Sequence, residues 1–276
     1  MQFLLKEKPD KEGIIRLKGE DYHYLVHVRR LKPGAIFQAI LPQSDTEKSK
    51  ESCSQCVKIT ILKISRQTLT GSVTFTNSTA PASKINDNTE NTVLPPIIVF
   101  QAVPKGTKMD LIIRQATEMG ISEIVPFVSE HSIPKEDSGN KRTERWCRIV
   151  KEARQQSGSL VDTKVHERLN TDELFAYWEK LQKEFSAQAL GLIFTPWALE
   201  NSGFHQYLSS KPPLLVLAVG PEGGFSAAEL DRFTKTGFKT ISLGETVLRT
   251  ETAALFGAAA AKIILMERAW WKTALR

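Results

Sequence analysis

Two short loops contain the residues of this chain whose types and spacing are best suited to binding and chemistry. The first is GPEGGFS at 220–226, where glycines and the carboxylate of Glu222 directly follow the apolar run LLVLAV. The second is LGETVLRTETA at 243–253, which contains Arg249 and Glu251. A guanidinium stays charged and can hold an anionic oxygen, whereas a carboxylate can accept a proton. For both carboxylates, helix capping or fixation of the loop is an equally good alternative.

The glycine loop predicts either close approach of a ligand or a tight turn at the end of a buried strand. Ser226 and Glu229 form an S-x-x-E capping box, which predicts a helix from about residue 227. Gly223 and Gly224 would then lie where backbone N–H groups are available. The loop is not a P-loop, because Phe225 stands where a lysine would follow the last glycine. Its G-x-x-G-G order does not fit a dinucleotide fingerprint either.

The second loop is unusually apolar for a connection between a strand and a helix. Leu243, Val247 and Leu248 can support a flat apolar group. Thr250 or Thr252 is expected to cap the helix that follows. Because ligands of parallel sheets bind beyond the carboxyl ends of the strands, both loops are expected to face one site.

The secondary-structure elements that the sequence predicts differ between the N-terminal part of the chain and the part that contains these loops. The N-terminal part alternates short β-like runs with turns, which predicts a small β-barrel with one helical stretch, EDYHYLVHVRRL. Later, continuous apolar strands alternate with longer helical patterns, which predicts an α/β fold with a parallel sheet covered on both faces. The polar run TNSTAPASKINDNTENT indicates a linker. We therefore divide the chain into a barrel domain at 1–78, a linker at 79–94 and a second domain at 95–276.

The positive charge is concentrated in the first domain. The chain of 276 residues has a formal charge of +6, and residues 1–80 hold 13 Lys and Arg against 8 Asp and Glu. A local basic excess is the electrostatic footprint of a nucleic-acid-binding surface, although a solvated surface can have the same composition. Arg16, Arg29 and Arg30 are the candidate phosphate contacts in this part of the chain.

Metal and membrane roles are not expected. Cys53 and Cys56 have C-x-x-C spacing without a second Cys/His pair at zinc-finger distance, and His23 and His27 lack an evident third ligand. No apolar stretch approaches the roughly 18 residues of a membrane helix, and the N-terminus has too short an apolar core for a signal peptide. The chain is therefore expected to be cytoplasmic.

The two loops together resemble the RsmE family, the 16S ribosomal RNA uridine-N3 methyltransferases of the SPOUT superfamily. Matches outside the loops cover nearly the whole chain: KGTKMDLIIRQATEMG at 105–120, Pro126, Ser129–Glu130, Trp146, EA..QSG at 152–158 and HVRRLKPG at 27–34. The chain departs from the family pattern at two sets of positions. Basic residues are common where it has Gln115, His131, Ser159 and Thr246, and a usual Leu and Asp are replaced by Arg29 and Ala35.

The resemblance implies a two-domain fold in which an N-terminal PUA-like β-barrel binds RNA. The second domain would be an α/β knot whose trefoil-knotted C-terminus binds S-adenosyl-L-methionine. The protein would act as a homodimer on the 16S rRNA of the small ribosomal subunit, without a metal. The cofactor-binding residues that the matching motifs imply are Phe194, Thr195, Pro196, Val219, Gly220, Pro221, Glu222, Gly223, Gly224, Leu243, Gly244, Val247 and Leu248.

Methylation of uridine N3 requires alignment of the base with the methyl donor and stabilisation of the anion that forms as N3 loses its proton. Arg249 is the first candidate for stabilising that charge and is also a candidate RNA contact. Glu251 and Glu222 are candidates for accepting the proton or for binding the cofactor or the RNA. The alternative function is that of a catalytically inactive or retargeted RNA-binding protein with the same fold. The intact GPEGG and LRTETA motifs argue against it, because a binding protein has no need of both cofactor loops.

Overall fold

The computed structural model describes residues 2–41, 56–75, 94–132, 139–197 and 203–274. Within the chain, two compact units are formed by residues 1–85 with 151–162, and by residues 86–150 with 163–276. Cys53 and nearly all of the predicted linker at 79–94 lie outside the described residues.

The first unit contains a five-stranded sheet. Its strands are β1 (Gln2–Leu4), β2 (Ile14–Lys18), β3 (Ile36–Ile40), β4 (Cys56–Ile64) and β5 (Thr68–Phe75). They are ordered β1-β3-β4-β5-β2, with β1 and β3 parallel and the other neighbours antiparallel. Alternate residues of β4, which are Val57, Ile59 and Ile61, are buried in one core. The period of two in the sequence therefore places one face of the sheet inward.

The predicted helical stretch of the first unit has an irregular end. Helix α1 (Gly19–His23) continues into a π-helical turn at Tyr24–Val28, a form of turn that is frequent at functional sites. The rings of His23 and His27 lie 5.1 Å apart, centroid to centroid, on this turn. Arg30, which follows it, has a φ of 51° in the left-handed region.

The second unit is built on a six-stranded sheet in which all neighbouring strands are parallel. Its strands are β6 (Ile97–Ala102), β7 (Glu123–Phe127), β8 (Lys164–Val165), β9 (Leu190–Phe194), β10 (Leu215–Val219) and β11 (Lys239–Ile241). They are ordered β11-β9-β10-β6-β7-β8. The chain's further helices are α2 (Lys108–Glu118), α3 (Gly139–Ser157), α4 (Thr171–Glu184), α5 (Phe204–Tyr207), α6 (Ala227–Lys235) and α7 (Thr250–Ala274), with a 3-10 turn at Leu208–Ser210.

Both faces of the parallel sheet are covered, as its continuously apolar strands predict. In β6, Ile97 and Val99 face a core that α2 and α7 complete, whereas Ile98 and Phe100 face a core that includes residues of α4 and α6. All residues of β6 and β10 are buried. The fold class predicted from the sequence, a parallel-sheet α/β domain after a small β domain, is confirmed.

The order of the strands decides where the conspicuous loops meet. β9 lies between β10 and β11, so the segments that follow these three strands leave the sheet at one edge. At this edge, Gly257 of α7 lies directly against Phe194 at the end of β9. A Cβ at position 257 would overlap the ring of Phe194. The absence of a side chain there allows α7 and β9 to pack closely.

Candidate cofactor pocket

A pocket of about 510 Å³ lies beyond the carboxyl ends of β9, β10 and β11. It is lined by all the residues that the sequence motifs implied for the cofactor, and also by Arg249. Its lining further includes side chains that were not predicted, which are Trp197, Phe225, Leu230, Thr240, Ser242, Thr246, Thr250 and Ala253. Glu251 is not part of the lining.

Gly223 and Gly224 of the glycine loop are required for different structural reasons. Gly224 has a φ of +72°, and its N–H donates to Pro221 O at 2.9 Å in a tight turn, so a side chain there would strain the backbone. At Gly223 the constraint is a neighbour, because an added Cβ would lie 3.0 Å from Cβ of His131. His131 Nδ1 also lies 3.1 Å from Gly224 O, so this histidine packs against the outside of the loop.

A buried carboxylate joins the glycine loop to the segment that follows β7. Ser226 and Glu229 form the predicted capping box, and α6 begins at Ala227 as expected. Glu229, which is only 6% exposed, also accepts hydrogen bonds from Ser129 Oγ at 3.0 Å and from Glu130 N at 3.0 Å. One carboxylate therefore caps a helix and holds the residues next to His131.

Thr250 connects the second loop to the first. The sequence offered Thr250 as a cap for α7, but the structure makes it the first residue of that helix. Its hydroxyl donates to Gly220 O at 2.6 Å and accepts from Gln101 Nε2 at 3.0 Å. Gln101 is completely buried in β6, and its Oε1 has no hydrogen-bond partner among the described residues. The loops are thus tied to each other and to a central strand.

Lys108, the first residue of α2, pairs with both candidate carboxylates. Its Nζ lies 2.8 Å from Glu222 Oε1 and 3.4 Å from Glu251 Oε2. Glu222 Oε1 also accepts from Lys105 N at 3.1 Å. Burial raises the pKa of Glu222, but the hydrogen bonds from Lys108 and from backbone amides outweigh it, so its pKa lies below the usual value. The hydrogen bond that Lys108 donates to Glu222 raises the pKa of Lys108.

Replacing Lys108 with methionine is expected to lower the melting temperature by about 0.4–4 °C at neutral pH, since a partly exposed ion pair contributes about 0.2–1 kcal/mol. The folded-state pKa of Glu222 is depressed below 4.5, so this stabilisation is present above that pH and disappears as the pH falls through the depressed value. The difference between wild type and variant should therefore be smaller at an acidic pH well below 4.5 than at neutral pH. Thermal denaturation at both pH values, with Lys108→Arg as control, measures it, and a difference unchanged in acid would contradict the ion-pair assignment.

Arg249 presents its guanidinium at the pocket, and no carboxylate of the described residues pairs with it. It precedes α7 directly and is exposed, and no ion pair or hydrogen bond links its guanidinium to another described residue. Glu222 and Glu251, its neighbours in the two loops, are engaged by Lys108 instead. A cation at a helix N-terminus is disfavoured by the helix dipole, so this position is costly unless an anion binds there.

The other predicted RNA contacts lie in the first unit and are exposed. Arg29 and Arg30 follow the π-helical turn, and Arg16 lies on β2. The Arg16 guanidinium lies 3.5 Å from Asp10 Oδ2, so this cation already has a carboxylate neighbour. Within the described part of the chain there is no cluster of three or more possible metal ligands, and no helix has the length and apolarity to cross a bilayer.

Comparisons with known proteins find a matching family model and relatives that cover most of the chain. Residues 90–262 match the family model of the RNA methyltransferase domain, and residues 17–45 match that of the RNA methyltransferase PUA domain. The chain is 30% identical over 246 residues to ribosomal RNA small subunit methyltransferase E 2 of Borreliella burgdorferi, covering 88% of each chain. It is 29% identical over 272 residues to ribosomal RNA small subunit methyltransferase E of Bacillus subtilis, covering 93% of each.

A solved structure shares the fold. The crystal structure of ribosomal RNA small subunit methyltransferase E from Neisseria gonorrhoeae bound to S-adenosyl methionine superposes with a TM-score of 0.71 at 23% identity, covering 95% of this chain and 97% of that one. A family model that spans more than half of the chain, together with relatives that match it almost end to end, decides the assignment. The chain belongs to the RNA methyltransferase family that includes the ribosomal RNA small subunit methyltransferase E proteins.

Proposed function

We propose that the protein transfers a methyl group from S-adenosyl-L-methionine to N3 of a uridine in the 16S rRNA of the small ribosomal subunit. The observation that carries this proposal is the convergence of the segments after β9, β10 and β11 on one pocket, with Arg249 in its lining. Family membership supports the reaction class, and the relatives' names support the small-subunit RNA as substrate. We place this activity in the cytoplasm.

The pocket suits a cofactor with a flat base and a charged methyl donor. Leu243, Val247 and Leu248 supply apolar contacts for the adenine, and backbone groups of the 220–224 segment would approach the rest of the molecule closely. When bound, S-adenosyl-L-methionine supplies an electrophilic methyl group on a sulfonium. The residues of the chain then have to bind the base, align it and stabilise its negative charge.

The charges around the pocket favour a division of roles. Glu222 and Glu251 are paired with Lys108, and we assign them to holding the two loops at α2 rather than to accepting the N3 proton. Arg249 has no such partner among the described residues, and we assign it to the uracil carbonyl oxygens. As N3 loses its proton to solvent water, negative charge spreads over O2 and O4, where a planar guanidinium can donate hydrogen bonds.

The decisive experiment maps methylated uridines in ribosomal RNA from cells with and without this protein. Mass spectrometry of the small-subunit RNA should show one N3-methyluridine that disappears when the gene is removed and returns when the purified protein is added with S-adenosyl-L-methionine. A methyl group on carbon or on ribose would contradict the N3 assignment. Binding of RNA without any methyl transfer would favour the inactive or retargeted RNA-binding alternative.

We further propose that the protein acts as a homodimer, with α2 and α7 contributing to the contact. These helices pack together and expose Leu111, Phe256 and Ile263, which are 38%, 52% and 53% exposed. Apolar side chains of this size on adjacent helices are typical of a subunit interface. Analytical ultracentrifugation would give the mass of a single chain if this proposal is wrong.

Removing two cations from the first unit should weaken RNA binding and its dependence on salt. Each phosphate contact contributes about 0.7–0.9 to the slope of log affinity against log salt, so Arg29→Ala with Arg30→Ala should reduce that slope by about 1.4–1.8. Lys235→Ala is a matched control, because Lys235 is ion-paired with Asp231 on α6. Filter binding across a salt series measures both. An unchanged slope in the double variant would remove these arginines from the RNA contact.

A further inference from the structure

Trp197 is a tryptophan that the fold leaves in solvent at the cofactor pocket. Its side chain is 73% exposed, whereas Trp146 and Trp178 are 2% and 1% exposed in the cores of the second unit. The residue lies three positions after the end of β9 and lines the pocket. An indole ring buries much apolar surface when it has a partner, so an unburied ring at a pocket indicates a ligand that covers it.

The backbone that carries Trp197 is held in place by hydroxyl groups. Thr195 Oγ1 donates to Trp197 O at 2.5 Å, and Ser242 Oγ lies 3.2 Å from Pro196 O. Ser242 Oγ also lies 3.0 Å from Gly244 O in the second loop. The ring is therefore presented from a backbone that is fixed both locally and to the neighbouring loop. A fixed backbone favours stacking, because less conformational freedom is then lost when the ring binds a ligand.

The position of the ring favours the incoming nucleobase over the cofactor as its partner. The interior of the pocket is lined by glycine backbone and by buried or half-buried apolar groups such as Val219 and Leu243, which suit the adenine. A base of the RNA must instead reach the methyl donor from solvent. The exposed part of the lining contains one aromatic ring, Trp197, and one cation, Arg249, beside Pro196, Glu222, Gly223, Gly244, Thr246 and Val247. Aromatic side chains stack on unpaired bases irrespective of base identity, whereas the guanidinium can select carbonyl oxygens.

We propose that Trp197 stacks on the target uracil, as a substrate-binding residue that holds the base in the plane in which Arg249 reaches its carbonyl oxygens. This proposal rests on the proposed function. The partner is a uridine in an unpaired segment of the RNA, since a base inside a duplex does not expose its face. Replacing the indole should therefore raise the RNA concentration at which methyl transfer is half-saturated, without changing the affinity for the cofactor.

The test measures single-turnover methyl transfer as a function of RNA concentration for wild type, Trp197→Ala and Trp197→Phe. Loss of base–aromatic stacking raises a dissociation constant by about tenfold to a hundredfold, so the half-saturating RNA concentration of W197A should rise by that factor. W197F keeps an aromatic face and should recover most of the difference. Calorimetry should give nearly equal affinity for S-adenosyl-L-methionine in all three proteins, and thermal denaturation checks that they are folded.

The outcomes separate this inference from the function on which it rests. No transfer to uridine by the wild type overturns the proposed function and the stacking with it. If the wild type methylates uridine and W197A has the same half-saturating RNA concentration as the wild type, the stacking is overturned but the proposed function is not. If W197A loses affinity for S-adenosyl-L-methionine while its half-saturating RNA concentration is unchanged, Trp197 contacts the adenine of the cofactor instead of the uracil. An equally raised half-saturating RNA concentration in W197A and W197F would also overturn the stacking, because phenylalanine keeps an aromatic face.

Discussion

Replacing Arg249 with alanine is expected to slow methyl transfer by about a hundredfold to a thousandfold, the usual effect of removing one preorganised electrostatic donor. The reason is that its guanidinium lies at the pocket with no carboxylate partner among the residues that the structure describes, while Lys108 engages Glu222 and Glu251. The charge that Arg249 would stabilise exists mainly in the transition state, so affinity for the cofactor should hardly change. Single-turnover methyl transfer to deproteinised and to subunit-assembled RNA measures the rate, and calorimetry measures the affinity.

Arg249→Lys is the matched variant for this prediction. An ammonium keeps the charge but lacks the planar fork of donors, so the rate should recover only in part. Full recovery would mean that charge alone matters at this position. Near-normal rates for Arg249→Ala would remove the residue from the mechanism.

Replacing Gly223 with valine is expected to weaken binding of S-adenosyl-L-methionine by about a hundredfold or more. A Cβ at this position would lie 3.0 Å from Cβ of His131, and the branched side chain adds further overlap. His131 or the loop must then shift by a few tenths of an ångström, and the backbone of the loop lines the pocket. Calorimetry gives the affinity, and thermal denaturation shows whether the variant remains folded.

Two further variants make this experiment specific. Gly203→Val is the control, because Gly203 has open space at its Cβ position and lies outside the pocket lining. His131→Gly, combined with Gly223→Val, should restore part of the affinity, since it removes the atoms that the valine meets. No restoration would show that the side chain occupies the space of the cofactor itself. Unchanged binding in Gly223→Val alone would contradict the assignment of the pocket.

Local patterns in the sequence were sufficient for most of the architecture. The capping box of Ser226 and Glu229 predicts the start of α6, and the helix begins where expected. Asn170 and Glu173 form the same kind of box before α4. β1 and β8 cannot be predicted from periodicity, because strands of three and two residues are too short to show a period. The knot that the family resemblance implies has no periodic signal at all.

The cofactor segments could be located from the sequence because their glycines, apolar residues and helix starts are local features. Their partners could not be located. Lys108 lies 114 residues from Glu222 in the chain, and Gln101 lies 149 residues from Thr250. For Gly223 the sequence indicated only close approach by a ligand or a turn, whereas the structure adds His131 as a neighbour.

The sequence by itself therefore determined which segments are strands, helices and candidate loops, and, through its motifs, the family. The tertiary structure alone decided that Lys108 engages Glu222 and Glu251 and that Arg249 is left without a carboxylate among the described residues. The physical reason is the range of the interactions. Periodicity and capping act within a few residues along the chain, whereas a parallel sheet brings the carboxyl ends of distant strands to one edge. Only there do groups from separate segments come close enough to pair.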